Sequence, residues 1–304
     1  WKDEKARYSR HLEEPLGKCK VAEIERKDVR EVRDTVAEDA GPIESNRVVA
    51  LFNRVMNWAV DEDRAKFNPA ARLKKVGEEK RRERVLSTDE MKRLWAELDR
   101  DLVVDTKLGG ITFSDLPAAV RVRRAIKLLF ALGQRRGETI GMRKAELDLT
   151  KGDAWWTIPA ARTKNGLPHR VPLTKTALAV LKEAIADSGN GDFVFPSEKT
   201  NEPVRADAVT KTLQRMCARK SLSIEGLGPH DIRRTAGTSM RKLGISVEDR
   251  SHVFNHVSGA KSKVTSWNYD AGEHDDEKRR ALDAWDRELR RVVGLEAPTS
   301  KVAH

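Results

Sequence analysis

Residues 154–173 break the pattern that governs the rest of this chain. Elsewhere apolar residues recur at i, i+3, i+4 and i+7, the spacing that lines one face of an α-helix. Here Ala154-Trp155-Trp156-Thr157-Ile158 and Arg170-Val171-Pro172-Leu173 are short and rich in β-formers, and Thr163-Lys164-Asn165-Gly166 between them has turn composition. One β-rich stretch among helical segments leaves a narrow choice. The expected fold is mostly α with a small antiparallel β-sheet, of the α+β class, with Lys164 at or near a hairpin tip.

The helical segments fall into two groups. In the first, Val48, Leu51, Phe52, Val55, Met56 and Ala59 form one apolar stripe. Ser45 or Asn46 is placed to cap its start, and Asn68-Pro69 marks a stop. A shorter helix is expected over residues 21–36. Residues 74–84, KKVGEEKRRER, are charged and nearly without apolar side chains. By itself such a run is an exposed linker or a solvated helix face. A domain boundary is favoured because a helix start follows at once: Ser87 and Glu90 have capping-box spacing, and Met91, Leu94, Trp95 and Leu98 form the stripe behind them.

A strong helix is then expected over 117–132, stopped by Gly133. After the hairpin, helices are expected over 175–187, 205–220, 230–243, 247–254 and 277–293. The organisation that follows is a helical domain over 1–76, a linker over 77–86, a second domain over 87–294 and a loose tail over 295–304. Leu282, Trp285, Leu289 and Val292 make the last helix amphipathic, which suits docking on its own domain or on a neighbour.

Bulk properties limit the partners. The 304 residues carry a formal charge of +11, with a pI near 9.6, which gives nucleic acid a lead over a merely basic surface. Hydrophobic residues at 38% exclude wholesale disorder. Cys19 and Cys217 have neither disulfide-framework nor zinc spacing, and a reducing cytosol fits them. No apolar run reaches membrane-spanning length, so no membrane partner is expected. The chain opens on Trp1 rather than methionine, from which a truncated fragment is expected.

Five short segments carry candidate chemistry: Gly133-Gln134-Arg135-Arg136-Gly137-Glu138, Thr163-Lys164-Asn165, His230-Asp231-Ile232-Arg233, Asn255-His256, and Tyr269. Arg135 follows a buried helix in a glycine-flanked turn, where its forked guanidinium can meet a phosphate and the turn's N–H groups can assist. His230 and Arg233 share a helix face. Lys164 can reach a leaving oxygen from its turn. Each has an ordinary alternative. These are a surface arginine for Arg135, a solvated turn lysine for Lys164, a structural histidine for His256 and a half-buried aromatic for Tyr269. Tyr269 and Tyr8 are the two tyrosines of the chain. A tyrosine hydroxyl with a pKa near 10 needs nearby positive charge and a base before it can attack.

Order and wording join these pieces. LFALGQRRGETIGMR, TIPAARTKNGLPHRVPLT, GPHDIRRTAGTSMRKLG, VFNHVSG and VTSWNYDAGEHDDEKRRALDAW together resemble the tyrosine recombinases of the phage and genomic-island integrase group. RHLEEPLGKCKVAEIERKDVR and NRVVALFNRVMNWAVDEDRAKFNPA are similar to that family's core-binding domain. The resemblance implies a site-specific DNA recombinase, acting in the cytoplasm at the nucleoid, that integrates or excises a mobile element. It implies an upstream arm-binding domain beyond this fragment, and two domains that clamp duplex DNA.

The roles implied are specific. Arg135 and Arg233 would hold the scissile phosphate, and Lys164 would protonate the 5′-oxygen. His230 would serve as base, His256 would bond the phosphate, and Tyr269 would attack to give a 3′-phosphotyrosyl link. No cofactor or metal is implied. The implied partners are double-stranded DNA attachment sites, three further copies forming a homotetramer on DNA, and accessory DNA-bending or excision factors. Asn255 stands where relatives most often have glycine, Trp267 is expected to crowd the approach to Tyr269, and Arg136 rivals Arg135 for the first arginine position. A DNA-binding regulator without strand transfer and a type IB topoisomerase-like nicking enzyme are the alternatives.

Overall fold

The computed structural model describes residues 2–77, 83–100, 116–219, 222–256 and 274–296. Tyr269, part of the expected linker and most of the expected tail lie outside the described residues. The chain divides into two compact units, Trp1–Arg82 and Glu83–His304.

The first unit holds α1 (Lys2–His11), α2 (Glu13–Leu16), α3 (Arg26–Ala40) and α4 (Pro42–Asp61). Its core is built by Val29, Val32 and Val36 of α3 against Val48, Phe52 and Met56 of α4. Helix α4 starts earlier than its apolar stripe predicts. Gly41, at φ +86°, turns the chain, and Pro42 occupies the first helical position, where its missing N–H costs nothing. Ser45 and Asn46 are therefore inside the helix and buried rather than caps. Ser45 Oγ donates to the Arg33 carbonyl at 2.6 Å, and Asn46 pairs with the backbone of Val76 through both N–H and C=O.

Two other expectations shift in this unit. Val55 lies at the edge of the stripe and is half exposed. The helix expected over 21–36 is broken into a 3₁₀ turn at Val21–Glu23 and α3, because the Asp28 carboxylate caps the Glu25 N–H at 2.8 Å and starts a new helix there.

The second unit begins before Ser87. Leu86 is buried, and its N–H donates to Thr235 Oγ1 at 2.9 Å. Ser87 and Glu90 form the expected reciprocal cap of α5 (Thr88–Asp99), and Met91, Leu94, Trp95 and Leu98 face the core. Helix α6 (Leu116–Leu132) runs through the centre, with Ala125, Ile126, Leu128 and Leu132 fully buried. It stops at Gly133, whose φ of +63° places it in the left-handed region. The short α7 (Arg136–Ile140) follows.

A three-stranded antiparallel sheet comes next, in the order β1 (Leu147–Asp148), β2 (Trp155–Ile158), β3 (His169–Pro172). Trp156 pairs with Val171 and Ile158 with His169. Strand β1 was not expected; two residues are too few to show a period. The β2–β3 connection is longer than a tight hairpin. It takes a 3₁₀ turn at Ala160–Arg162, and Thr163 Oγ1 bonds the Ala160 and Leu167 carbonyls to shape the turn that carries Lys164.

Helices α8 (Lys175–Ala186), α9 (Ala206–Cys217), α10 (Pro229–Lys242), α11 (Val247–Val253) and α12 (Asp275–Val293) complete the unit. The amphipathic face of α12 is buried in its own unit: Leu282, Trp285 and Leu289 are fully enclosed, and Trp285 Nε1 donates to the Phe130 carbonyl at 2.7 Å. No helix among the described residues is long and apolar enough to cross a membrane.

Candidate active site

The end of α11 organises the site. Ser246 caps the helix start by accepting the Asp249 N–H at 2.9 Å. At the other end the chain leaves the helix through Phe254 and Asn255, with Asn255 at φ +47°, a left-handed value that asparagine tolerates better than most residues. Three successive carbonyls are thereby turned outward, and a helix C-terminus carries partial negative charge. Each finds a donor. The Val253 carbonyl takes Gln134 Nε2 at 2.9 Å and the His169 ring at 3.1 Å. The Phe254 carbonyl takes Arg233 Nη2 at 2.5 Å, and the Asn255 carbonyl takes Arg135 Nη2 at 3.2 Å.

Arg135 and Arg233 therefore converge on one short stretch of backbone. Arg135 is also held by the buried Glu138, whose carboxylate accepts Nη1 at 3.0 Å and the Arg135 backbone N–H at 3.3 Å. That N–H, expected to serve an anion, is occupied. Arg233 is 5% exposed and donates Nη1 to the Gly133 carbonyl at 3.0 Å. Its guanidinium lies 4.8 Å from the centre of the Phe254 ring. Phe254 fits because of two glycines. A Cβ on Gly133 would lie 2.7 Å from Phe254 Cε1, and one on Gly237 would lie 3.0 Å from Cε2. Burial, and then the positive charge of Arg135, push the Arg233 pKa down to about 9, which still leaves it charged at neutral pH. Bringing an anion to these two cations relieves that repulsion.

The histidines beside them are kept neutral. His256 Nε2 lies 3.2 Å from Arg233 Nη2. Desolvation and the charges of Arg233 and Arg135 push its pKa down to about 4. Since Arg233 can only donate, Nε2 accepts and Nδ1 carries the proton. His230 stands on α10 one turn before Arg233. Helix α10 starts with Pro229 in its first turn, after Gly228, whose N–H is capped by Asp231 at 2.9 Å. Desolvation, followed by Arg234 and Arg233, lowers the His230 pKa from its ordinary value. Both rings are thus available as neutral acceptors or donors at neutral pH.

Lys164 is exposed on its turn, and its neighbour Asn165 bonds Asn255 directly, with Nδ2 to Oδ1 at 2.8 Å. The structure thus links the segments bearing Arg135, Arg233, His256 and Lys164 by hydrogen bonds, with His230 on the same helix face as Arg233. Arg136 points elsewhere, to Thr210 Oγ1 at 2.5 Å. Four contributors were not given roles by residue type: Glu138, Gln134, His169 and Asn165. The three-residue spacing of Glu138 from Arg135 could have revealed the first. His169 shares a strand face with buried Val171, which is the signal that would have placed it inside.

An α+β unit that anchors two arginines on one stretch of backbone, beside neutral histidines and an exposed lysine, gathers positive charge and proton carriers of the kind a phosphodiester site needs. The chain belongs to the phage integrase family: residues 84–265 match the Phage integrase family and residues 2–76 the Phage integrase central domain. It is similar to prophage integrase IntA of Escherichia coli (strain K12), 30% identical over 156 residues that make up 50% of this chain and 34% of the relative. The chain thus spans about a third of that relative's length.

Solved structures with the same fold include two integrases. One is the Tn1549 transposon integrase in complex with transposon right end DNA, with a TM-score of 0.64 at 15% identity over 84% of this chain and 85% of that one. The other is a lambda integrase tetramer bound to a Holliday junction, with a TM-score of 0.61 at 17% identity over 85% of this chain and 71% of that one.

Proposed function

We propose that this chain is a site-specific DNA recombinase that cleaves and rejoins strands through a 3′-phosphotyrosyl intermediate, integrating or excising a mobile element. The observation that carries the reading is the convergence of Arg135 and Arg233 on the carbonyls that end α11, with neutral His256 against Arg233. The family match gives that convergence its chemical context.

In this reading Tyr269 Oη attacks the phosphorus and forms the P–O bond, while His230, neutral and unhindered by its own charge, takes the tyrosine proton. Arg135 and Arg233 hold the non-bridging oxygens and stabilise the added charge of the pentacoordinate transition state. His256 contributes an N–H rather than a charge. Lys164 gives a proton to the 5′-oxygen as the P–O5′ bond breaks. The covalent link conserves the free energy of the broken phosphodiester, so rejoining runs the same steps backward with a new 5′-hydroxyl.

Residues 1–76 serve as a core-type DNA-binding domain, 77–86 as the linker, 87–294 as the catalytic domain and 295–304 as a tail. The partners are double-stranded attachment sites, three further copies in a tetramer on DNA, and accessory bending or excision factors. The setting is the bacterial cytoplasm, at the nucleoid. Affinity rests largely on lysine and arginine contacts to phosphates and falls steeply with salt.

The test uses duplexes carrying the ends of the element that encodes the chain. Recombinant joints between two duplexes are the expected product. Relaxation of supercoils without recombinants would assign a topoisomerase-like enzyme instead. Binding without any strand cleavage would leave a DNA-binding regulator.

A further inference from the structure

The turn that carries Lys164 is shaped locally but aimed from a distance. Thr163 closes it from within, and Arg162 anchors its base on Glu146 at 2.7 and 2.8 Å. Apart from the local bond of Thr163 Oγ1 to the Ala160 carbonyl, the side-chain hydrogen bonds that tie residues 163–167 to the rest of the unit, among the described residues, run between Asn165 and Asn255. The pair is reciprocal: Asn165 Nδ2 donates to Asn255 Oδ1 at 2.8 Å, and Asn255 Nδ2 donates to Asn165 Oδ1 at 3.2 Å. The Leu167 N–H donates to Asn165 Oδ1 at 3.3 Å, which fixes that oxygen as the acceptor and so sets the orientation of both amides.

Asn255 has two further attachments. Its carbonyl receives Arg135 Nη2 at 3.2 Å, and the residue after it, His256, meets Arg233. The side chain is 7% exposed, and the backbone sits at φ +47°. Glycine would adopt that backbone with no strain. It would bring no amide. The asparagine at this position therefore does something that the backbone alone does not require.

We infer that the Asn165–Asn255 amide pair is a positioning device that aligns the Lys164 turn with the arginine-held phosphate. One residue, Asn255, fixes the register between the group that donates the proton and a group that binds the reacting phosphoryl. Neither asparagine touches the reacting atoms; both act through Lys164. The inference rests on the reading of Lys164 as the acid that protonates the 5′-oxygen.

The experiment compares two nicked suicide duplexes in single-turnover cleavage. One has the natural 5′-oxygen at the cleavage site. The other has a bridging sulfur there, whose thiolate leaves without being protonated. Asn165→Ala and Asn255→Gly are expected to slow cleavage of the oxygen duplex roughly 10- to 100-fold, the scale of a misplaced catalytic group. The double variant should be no slower than the worse single one. The sulfur duplex should restore both variants to near the wild-type rate, and affinity for uncleaved DNA should be unchanged.

Lys164→Ala is the control that separates the two readings. Its rescue by sulfur establishes Lys164 as the acid; failure of that rescue removes the acid role and the inference with it. Rescue of Lys164→Ala without rescue of the asparagine variants overturns the positioning role alone. So does wild-type cleavage of the oxygen duplex by Asn165→Ala, a substitution at a half-buried turn position that leaves the core intact.

Discussion

Replacing His169 by glutamine should flatten the acid dependence of stability in the second unit. The imidazole is 2% exposed, and burial pushes its pKa from 6.5 down to about 3, with the charges of Lys278, Arg233 and Arg135 acting the same way against a favourable bond to the Val253 carbonyl. The folded state keeps this ring neutral where the unfolded chain protonates it. Stability from this source is whole above pH 6.5 and falls as pH drops from 6.5 toward 3, because the unfolded state binds the extra proton. At pH 5 the unfolded imidazole lies 1.5 units below its pKa and the folded one is still neutral. The loss is then about 2 kcal/mol, from about 1.4 kcal/mol per unit. This figure requires only that the folded pKa lie well below 5.

Glutamine keeps an N–H for the Val253 carbonyl and cannot take up the proton. Urea unfolding followed by tryptophan fluorescence reports on this unit, where Trp95, Trp156 and Trp285 are buried. The drop in stability between pH 7.5 and 5 should be smaller in His169→Gln than in wild type by about 2 kcal/mol. Other groups titrate alike in both proteins and cancel. Equal drops in the two proteins would refute the claim that His169 is held neutral in the fold.

Other consequences follow from the same packing. Gly133→Ala meets both a left-handed backbone and a 2.7 Å approach to Phe254, and should cost about 2–4 kcal/mol in urea unfolding; a cost under about 1 kcal/mol would contradict the packing around Phe254. Arg135→Ala should depress single-turnover cleavage more than His230→Gln, because a charge clamp is harder to replace than a proton relay. Equal losses would count against those roles. Lys164→Ala should slow cleavage while leaving DNA affinity nearly intact; a matching loss of affinity would move Lys164 from the chemistry to the footprint.

The sequence made the fold legible where the deciding chemistry was local. Ser87 and Glu90 cap α5 as their spacing requires, and Gly133 ends α6 because only the left-handed turn lets the chain leave there. It misled where side chains were engaged at long range. Ser45 and Asn46 have the composition of caps, yet they bridge to Arg33 and Val76 from inside α4. The site divides in the same way. Arg135, Lys164, His230, Arg233 and His256 are named through the order and wording that resemble one family, because residue type alone leaves each an ordinary alternative. What joins them is not legible there: the carbonyls of residues 253–255 are backbone groups, available in principle from any residue, and only the fold shows which ones are turned toward arginine. Tyr269 was singled out by its position and rarity in the sequence.

The measurement closest to the central claim is the trapping of a covalent complex on a nicked suicide duplex bearing an end of the encoding element. Cleavage releases a short strand with a 5′-hydroxyl, and the protein stays linked to the 3′-phosphate. Peptide mapping should place the DNA on Tyr269, and Tyr269→Phe should bind the duplex and form no adduct. A link at any other residue, or an adduct that persists in Tyr269→Phe, would contradict the account.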